Sequence, residues 1–125
     1  MKILIAEDSV VNRELLRELL EARGHEVFEA GNGQEALDLI GPIRPDLVVL
    51  DIGMPVLDGF GAIEKIRAHP EWIHLPVIAA TAYAMRGDRD RVLQAGFDGY
   101  VSKPIDASAL AREIERLTSA VKNKA

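Results

Sequence analysis

Five short apolar, β-prone runs alternate with five stretches of helical period, and that alternation restricts the fold more than any other feature of the chain. The runs are Ile3–Ala6, Val27–Ala30, Leu47–Leu50, Val77–Ala80 and Tyr100–Val101. After the first, Leu15, Leu16, Leu19 and Leu20 form an apolar stripe with Arg13, Glu14, Arg17, Glu18 and Glu21 on the water side, and Gly24 closes the segment. Gln34–Ile40 predicts a second helix, stopped by Gly41-Pro42. Gly59–Ala68 predicts a third, with Asp58 as its N-cap and Pro70 beyond its end. Asp88–Ala95 predicts a fourth, closed by Gly96. The last, Ala107–Val121, carries Leu110, Ile114, Leu117 and Val121 at helical spacing.

Strands that alternate with helices form βα units and a parallel sheet, and right-handed crossovers put helices on both of its faces. Ile3–Ala6 and Leu47–Leu50 are wholly apolar, as interior strands must be. Glu26 and Glu29 interrupt the second run, and the run at Tyr100 is very short, so these two suit the edges. The expected architecture is a doubly wound five-stranded (βα)5 sheet in the flavodoxin-like order 2-1-3-4-5. A chain of 125 residues holds one such domain, read here as residues 1–121 followed by a short tail, 122–125. Fifteen basic against twenty acidic residues argue against a nucleic-acid-binding protein, and the absence of cysteine removes disulfides, thiolate metal sites and thiol nucleophiles. The N-terminal apolar run is too short for a signal peptide or a membrane span, so a cytoplasmic location is expected.

In a sheet of this order, ligands bind beyond the carboxyl ends of the strands, where the strand order reverses. Glu7 and Asp8 stand after the first strand, Asp51 after the third, Thr81 after the fourth, and Lys103 and Pro104 after the fifth. Taken singly, Asp8 or Asp51 fits an ordinary turn or cap acid, Thr81 a strand-end hydroxyl and Lys103 a loop lysine. Together they place three carboxylates, a hydroxyl and an ammonium on one rim. Like charges so close need a counter-ion, and Mg²⁺ takes one or two carboxylates, waters and a phosphate oxygen. Lys103 and Thr81 suit a phosphoryl group, and an Asp carboxylate can attack phosphorus to give an aspartyl phosphate.

The chain resembles the receiver domains of two-component response regulators, the CheY-like family, over about residues 2–118. The motifs that carry the resemblance are Glu7-Asp8, the stretch from Asp51 through Met54-Pro55 to Asp58-Gly59, Thr81-Ala82 and Lys103-Pro104. The resemblance implies phosphorylation of Asp51 by a sensor histidine kinase or a histidine phosphotransfer protein. It implies Mg²⁺ on Asp8, Asp51 and the Gly53 backbone carbonyl, with Glu7 acting through water. Thr81, Ala82 and Lys103 would bind the phosphoryl group, and the Lys103–Pro104 bond would be cis. Thr81 and Tyr100 would form the switch that alters the surface of the fourth helix, fifth strand and fifth helix, including Arg86, Asp88, Arg91 and Ala109. That surface would meet a downstream protein or a second copy of the chain. In that family the positions of Gly53 and Tyr83 tune how fast the phosphoryl group is lost, and Gly53 has no side chain to aim a water.

Two other function classes compete. A Mg²⁺-dependent aspartyl-phosphate phosphohydrolase would want a second acid two residues after the nucleophile, where this chain has Gly53. A flavodoxin-like nucleotide or flavin binder would want a glycine- or hydroxyl-rich loop after the first strand, where Glu7-Asp8 repels phosphate. His25, His69 and His74 lack zinc-site spacing, the arginines at 86, 89 and 91 are interleaved with Asp88 and Asp90, and Gly31-Asn32-Gly33 reads as a plain turn. Trp72 is expected to pack its loop down, and Met54-Pro55 to serve as turn structure.

Overall fold

The computed structural model describes residues 1–82 and 88–123, with the main chain alone at residue 88 and residues 119–123. Tyr83, Arg86 and the side chains of Asp88 and Val121 therefore lie outside the described residues. The elements are β1 (Lys2–Ala6), α1 (Val10–Glu21), β2 (Glu26–Ala30), α2 (Gly33–Ile43), β3 (Leu47–Asp51), α3 (Gly59–Ala68), β4 (Val77–Thr81), α4 (Asp88–Ala95), β5 (Gly99–Ser102) and α5 (Ala107–Asn123). All strand pairs are parallel, in the order β2-β1-β3-β4-β5. The doubly wound sheet expected from the sequence is the one observed.

Period-two alternation splits the strand side chains between two cores. Leu4, Val48, Leu50, Val77 and Ala79 pack with Ala36, Ile40, Ile63, Ile66 and Val92 from α2, α3 and α4. Ile3, Ile5, Val49, Ile78 and Val101 pack with Leu16, Leu20, Leu110 and Ile114 from α1 and α5. β3 and β4 are buried along their whole length, which is why they read as unbroken apolar runs.

Several helix ends differ from expectation. α2 passes through Pro42 and stops only where Arg44 turns left-handed at φ 54°, donating its N–H to the Ile40 carbonyl. Proline in the last turn costs one hydrogen bond, to the carbonyl of exposed Asp38, which water can replace. In α1 only Leu16 and Leu20 are buried; Leu15 is half exposed, because it lies a helical step away from the face that meets the sheet. Arg13, read as facing water, is partly buried against β1 and β2. Met54 does more than turn the chain, since its side chain is buried in the first core. Trp72 packs against that core from a short 3₁₀ turn, Pro70–Trp72, with His69 stacked on its ring at 3.9 Å. Among the described residues, no helix is long and apolar enough to cross a membrane.

Candidate functional site

The ends of β1, β3, β4 and β5 meet at one rim of the sheet, the rim the strand order selects. Asp51 closes β3 and Thr81 closes β4; both are buried. The loop after Asp51 folds back on itself. Gly59 donates its N–H to the Ile52 carbonyl at 2.9 Å, and a Cβ on Gly59 would lie 2.7 Å from the Ile52 Cα. Only glycine allows that approach. Asp58 caps α3 by accepting the Gly61 N–H at 2.8 Å, so Asp58-Gly59 fixes the return path of the loop that carries the acceptor candidate.

Lys103 reaches across from the end of β5. Its Nζ lies 2.7 Å from Glu7 Oε2 and 2.9 Å from Asp51 Oδ2. One ammonium thus bridges two buried carboxylates. The Lys103 N–H donates to the Thr81 carbonyl at 2.7 Å, and the peptide between Lys103 and Pro104 is cis. Glu7 is 1% exposed, and its other oxygen accepts from the Ser9 N–H at 3.3 Å and from Asn12 Nδ2 at 3.5 Å. Asp51 Oδ1 accepts the Gly53 N–H at 3.1 Å. Asp8, by contrast, is exposed at the mouth.

The charges respond to this crowding. Burial pushes the Glu7 carboxyl above its ordinary value, the Lys103 hydrogen bond opposes that, and neighbouring Asp51 adds to it. Burial works against the Lys103 ammonium, but hydrogen bonds to Glu7 and Asp51 outweigh it and hold its pKa above the usual lysine value. Ligand oxygens of Glu7, Asp8 and Asp51 lie within 4.8 Å of one another, a hard oxygen donor set suited to Mg²⁺. The set fits that ion: Asp8 offers oxygens at the mouth and Asp51 lies buried beside it, while Glu7, held by Lys103, Ser9 and Asn12, is placed to act from further in. Space next to Asp51 is open, since a Cβ on Gly53 would meet nothing within 4 Å.

The sequence-predicted Glu7, Asp8, Asp51 and Lys103 are therefore together, with Thr81 buried at the adjoining strand end. Tyr100 lies further down β5, registered with Ala79, on the same face of the sheet as Thr81 and partly buried against the first core. Two residues were missed. Asn12 and Arg13, in the first turn of α1, reach Glu7 through side chain and main chain respectively. Their only sequence signal was position, one turn into the helix that leaves the acidic pair.

Residues 3–115 match the response regulator receiver domain family. The chain belongs to that family. This receiver domain is 43% identical over 117 residues to the polar-differentiation response regulator DivK of Brucella anthropi, covering 94% of this chain and 93% of that protein. It superimposes with a TM-score of 0.85 on the receiver domain of a sensor histidine kinase from Pseudomonas aeruginosa, at 36% identity and over 93% of this chain and 95% of that one. That structure has a magnesium ion coordinated in the active site cleft. A third relative is the receiver domain of the Saccharomyces cerevisiae response regulator Ssk1, in complex with the histidine phosphotransfer signaling protein Ypd1. It matches with a TM-score of 0.85 and 28% identity, over 92% of this chain and 86% of that one.

Proposed function

We propose that this receiver domain is a phosphoryl-accepting switch in which Asp51 takes the group from a phosphohistidine on a kinase or phosphotransfer partner. The observation that carries the reading is Lys103, held at 2.9 Å from Asp51 and 2.7 Å from Glu7 with Asp8 at the mouth. An Asp51 carboxylate oxygen attacks phosphorus, the O–P bond forms, and the P–N bond to the donor imidazole breaks. The imidazole leaves with the electron pair and takes a proton from solvent. Mg²⁺, held by Asp8, Asp51 and the Gly53 carbonyl, would neutralise charge developing on the phosphoryl oxygens. Lys103 pairs with those oxygens once Asp51 carries the group as an acyl phosphate, and the Thr81 hydroxyl and Ala82 N–H complete their hydrogen bonds.

Phosphorylation biases a two-state equilibrium only as far as it binds one state better. Thr81 is the group that gains from moving toward the phosphoryl oxygens, and Tyr100, on the same sheet face, fills the space it leaves. The changed surface is that of α4, β5 and α5. The donor side is distinct. Val10, Val11 and Leu15 of α1 are exposed, and Leu15, Leu16 and Leu19 line a groove of about 390 Å³ with Pro104 and Ile105. Lys103 and Ala82 border both groove and site, so a helix seated there would bring its histidine to Asp51. The experiment is intact-mass measurement after incubation with acetyl phosphate and Mg²⁺. One hydroxylamine-sensitive adduct is expected, absent from Asp51→Ala and from chelated samples; an unchanged yield in either overturns the reading.

A further inference from the structure

The Asp8 carboxylate is exposed at the mouth of the site, so its aim depends on what holds its main chain. Asp8 follows Glu7, and the peptide plane between them begins at the Glu7 carbonyl. The amide of Glu7 is fixed on the strand side, donating to the Ala30 carbonyl at 3.1 Å. Its carbonyl is fixed from the helix side by Arg13, whose Nη1 donates to it at 3.0 Å. The same guanidinium lies with Nε 3.4 Å from Glu29 Oε1 on β2, and Arg17 pairs with Glu29 as well. Arg13 is itself anchored in the first turn of α1, its N–H donating to the Ser9 carbonyl at 2.9 Å. Gly31 makes room for the fork, since a Cβ there would lie 3.3 Å from Arg13 Nη1. One planar cation therefore ties α1, the end of β1 and the edge strand β2 at the peptide that carries Asp8.

From this we infer that Arg13 is a positioning residue for the Mg²⁺ site, acting through the Glu7–Asp8 peptide without touching the ion. The inference rests on the proposed role of Asp8 in holding Mg²⁺. Charge and geometry make opposite predictions here. As a cation near three carboxylates, Arg13 weakens Mg²⁺ binding, and removing its charge tightens it. As a clamp, it strengthens binding, and removing the fork weakens it. Lysine keeps the charge but cannot engage both Glu7 and Glu29 as the rigid guanidinium does.

The test is Mg²⁺ titration by calorimetry and by amide NMR shifts at residues 8, 51 and 53, for wild type, Arg13→Met, Arg13→Lys and Glu29→Gln. Wild type that shows no saturable Mg²⁺ binding defeats the functional reading itself, whatever the variants do. Given wild-type binding, both Arg13 variants are expected to bind about ten-fold more weakly, the lower end of the effect of losing an outer partner of a metal site. Glu29→Gln, which loosens the Nε end of Arg13 along with the Arg17 pair but leaves the bond to the Glu7 carbonyl, falls between them and wild type. At saturating Mg²⁺ the rate of phosphorylation by acetyl phosphate returns to the wild-type level. Three outcomes overturn the proposal: tighter binding in Arg13→Met with Arg13→Lys unchanged, unchanged affinity in both with only a lower melting temperature, or a phosphorylation defect that saturating Mg²⁺ does not repair.

Discussion

Replacing Lys103 with methionine keeps the length of the side chain and removes the cation that bridges two buried carboxylates. The ammonium sits 2.7 Å from Glu7 and 2.9 Å from Asp51. At an effective dielectric of about 20, each contact is a Coulomb attraction of about 6 kcal/mol before desolvation. Most of that offsets the cost of taking Lys103 out of water, and breaking a buried pair from one side typically costs about 3–5 kcal/mol. Lys103 is 19% exposed in its side chain, so the lower figure applies, about 3 kcal/mol. For a domain of this size that is a fall of about 10 °C in melting temperature in Mg²⁺-free neutral buffer. The pH dependence follows from Glu7, whose folded pKa is already raised by burial. A raised carboxyl pKa gives stability that is fully present below the unfolded value and is lost as pH rises through the folded one. Without Lys103 the folded value rises further, so the deficit shrinks on acidification and is full above it. Mg²⁺ raises the melting temperature of Lys103→Met more than that of wild type, because it supplies the missing charge. Calorimetric melts at several pH values, with and without Mg²⁺, decide the matter. A melting temperature equal to wild type without Mg²⁺, or a deficit of the same size in acid and at neutrality, refutes the argument.

Gly53→Asn shortens the lifetime of the phosphorylated form by about ten-fold, below the range of full general-base catalysis, because it adds a side chain that can aim a water into open space beside Asp51; phosphate release reads this directly. Val56 is 82% exposed and holds φ 67°, a conformation that costs an L-residue about 1–2 kcal/mol. Val56→Asn therefore stabilises the fold by about 1 kcal/mol in urea titration, since asparagine tolerates that region. Arg67 donates to the carbonyls of Trp72, Ile73, Leu75 and Gly96 and pairs with Asp98 at 2.8 Å. Arg67→Met strips the Ile73, Leu75 and Gly96 carbonyls of this donor, while Trp72 and Asp98 still accept from the Leu75 and Val77 N–H groups, and it lowers stability by about 3 kcal/mol with little change in urea m-value.

The strand order and the converging acids were legible because they depend on short-range signals: apolar runs, caps, and residues that follow strands. Glu26 and Glu29 marked β2 as an edge, and Asp58 marked the start of α3, from local chemistry alone. What escaped notice depends on contacts distant in sequence. Arg67 satisfies five acceptors spread over residues 72–98, and nothing around position 67 signals them. Arg13 lies on the flank of its helix, where periodicity cannot separate a solvated arginine from one that grips a neighbouring strand end. Pro42 stands inside the helix because the one bond it removes falls on the exposed Asp38 carbonyl, which water can satisfy. The apolar stripe of α1 holds four leucines in six residues, and periodicity alone does not separate the buried pair, Leu16 and Leu20, from half-exposed Leu15. The bridge from Lys103 to both Glu7 and Asp51 could be expected as proximity but not as geometry.

The central claim is that the phosphoryl group resides on Asp51 and nowhere else in the acidic cluster. Borohydride reduces an acyl phosphate of aspartate to homoserine, which marks the residue permanently. After incubation with a phosphodonor and Mg²⁺, reduction and peptide fragmentation should place homoserine at position 51, and chelation of Mg²⁺ before the donor is added should abolish it. A reduced side chain at Glu7 or Asp8 in its place, or a label at position 51 that forms equally well without Mg²⁺, contradicts the account.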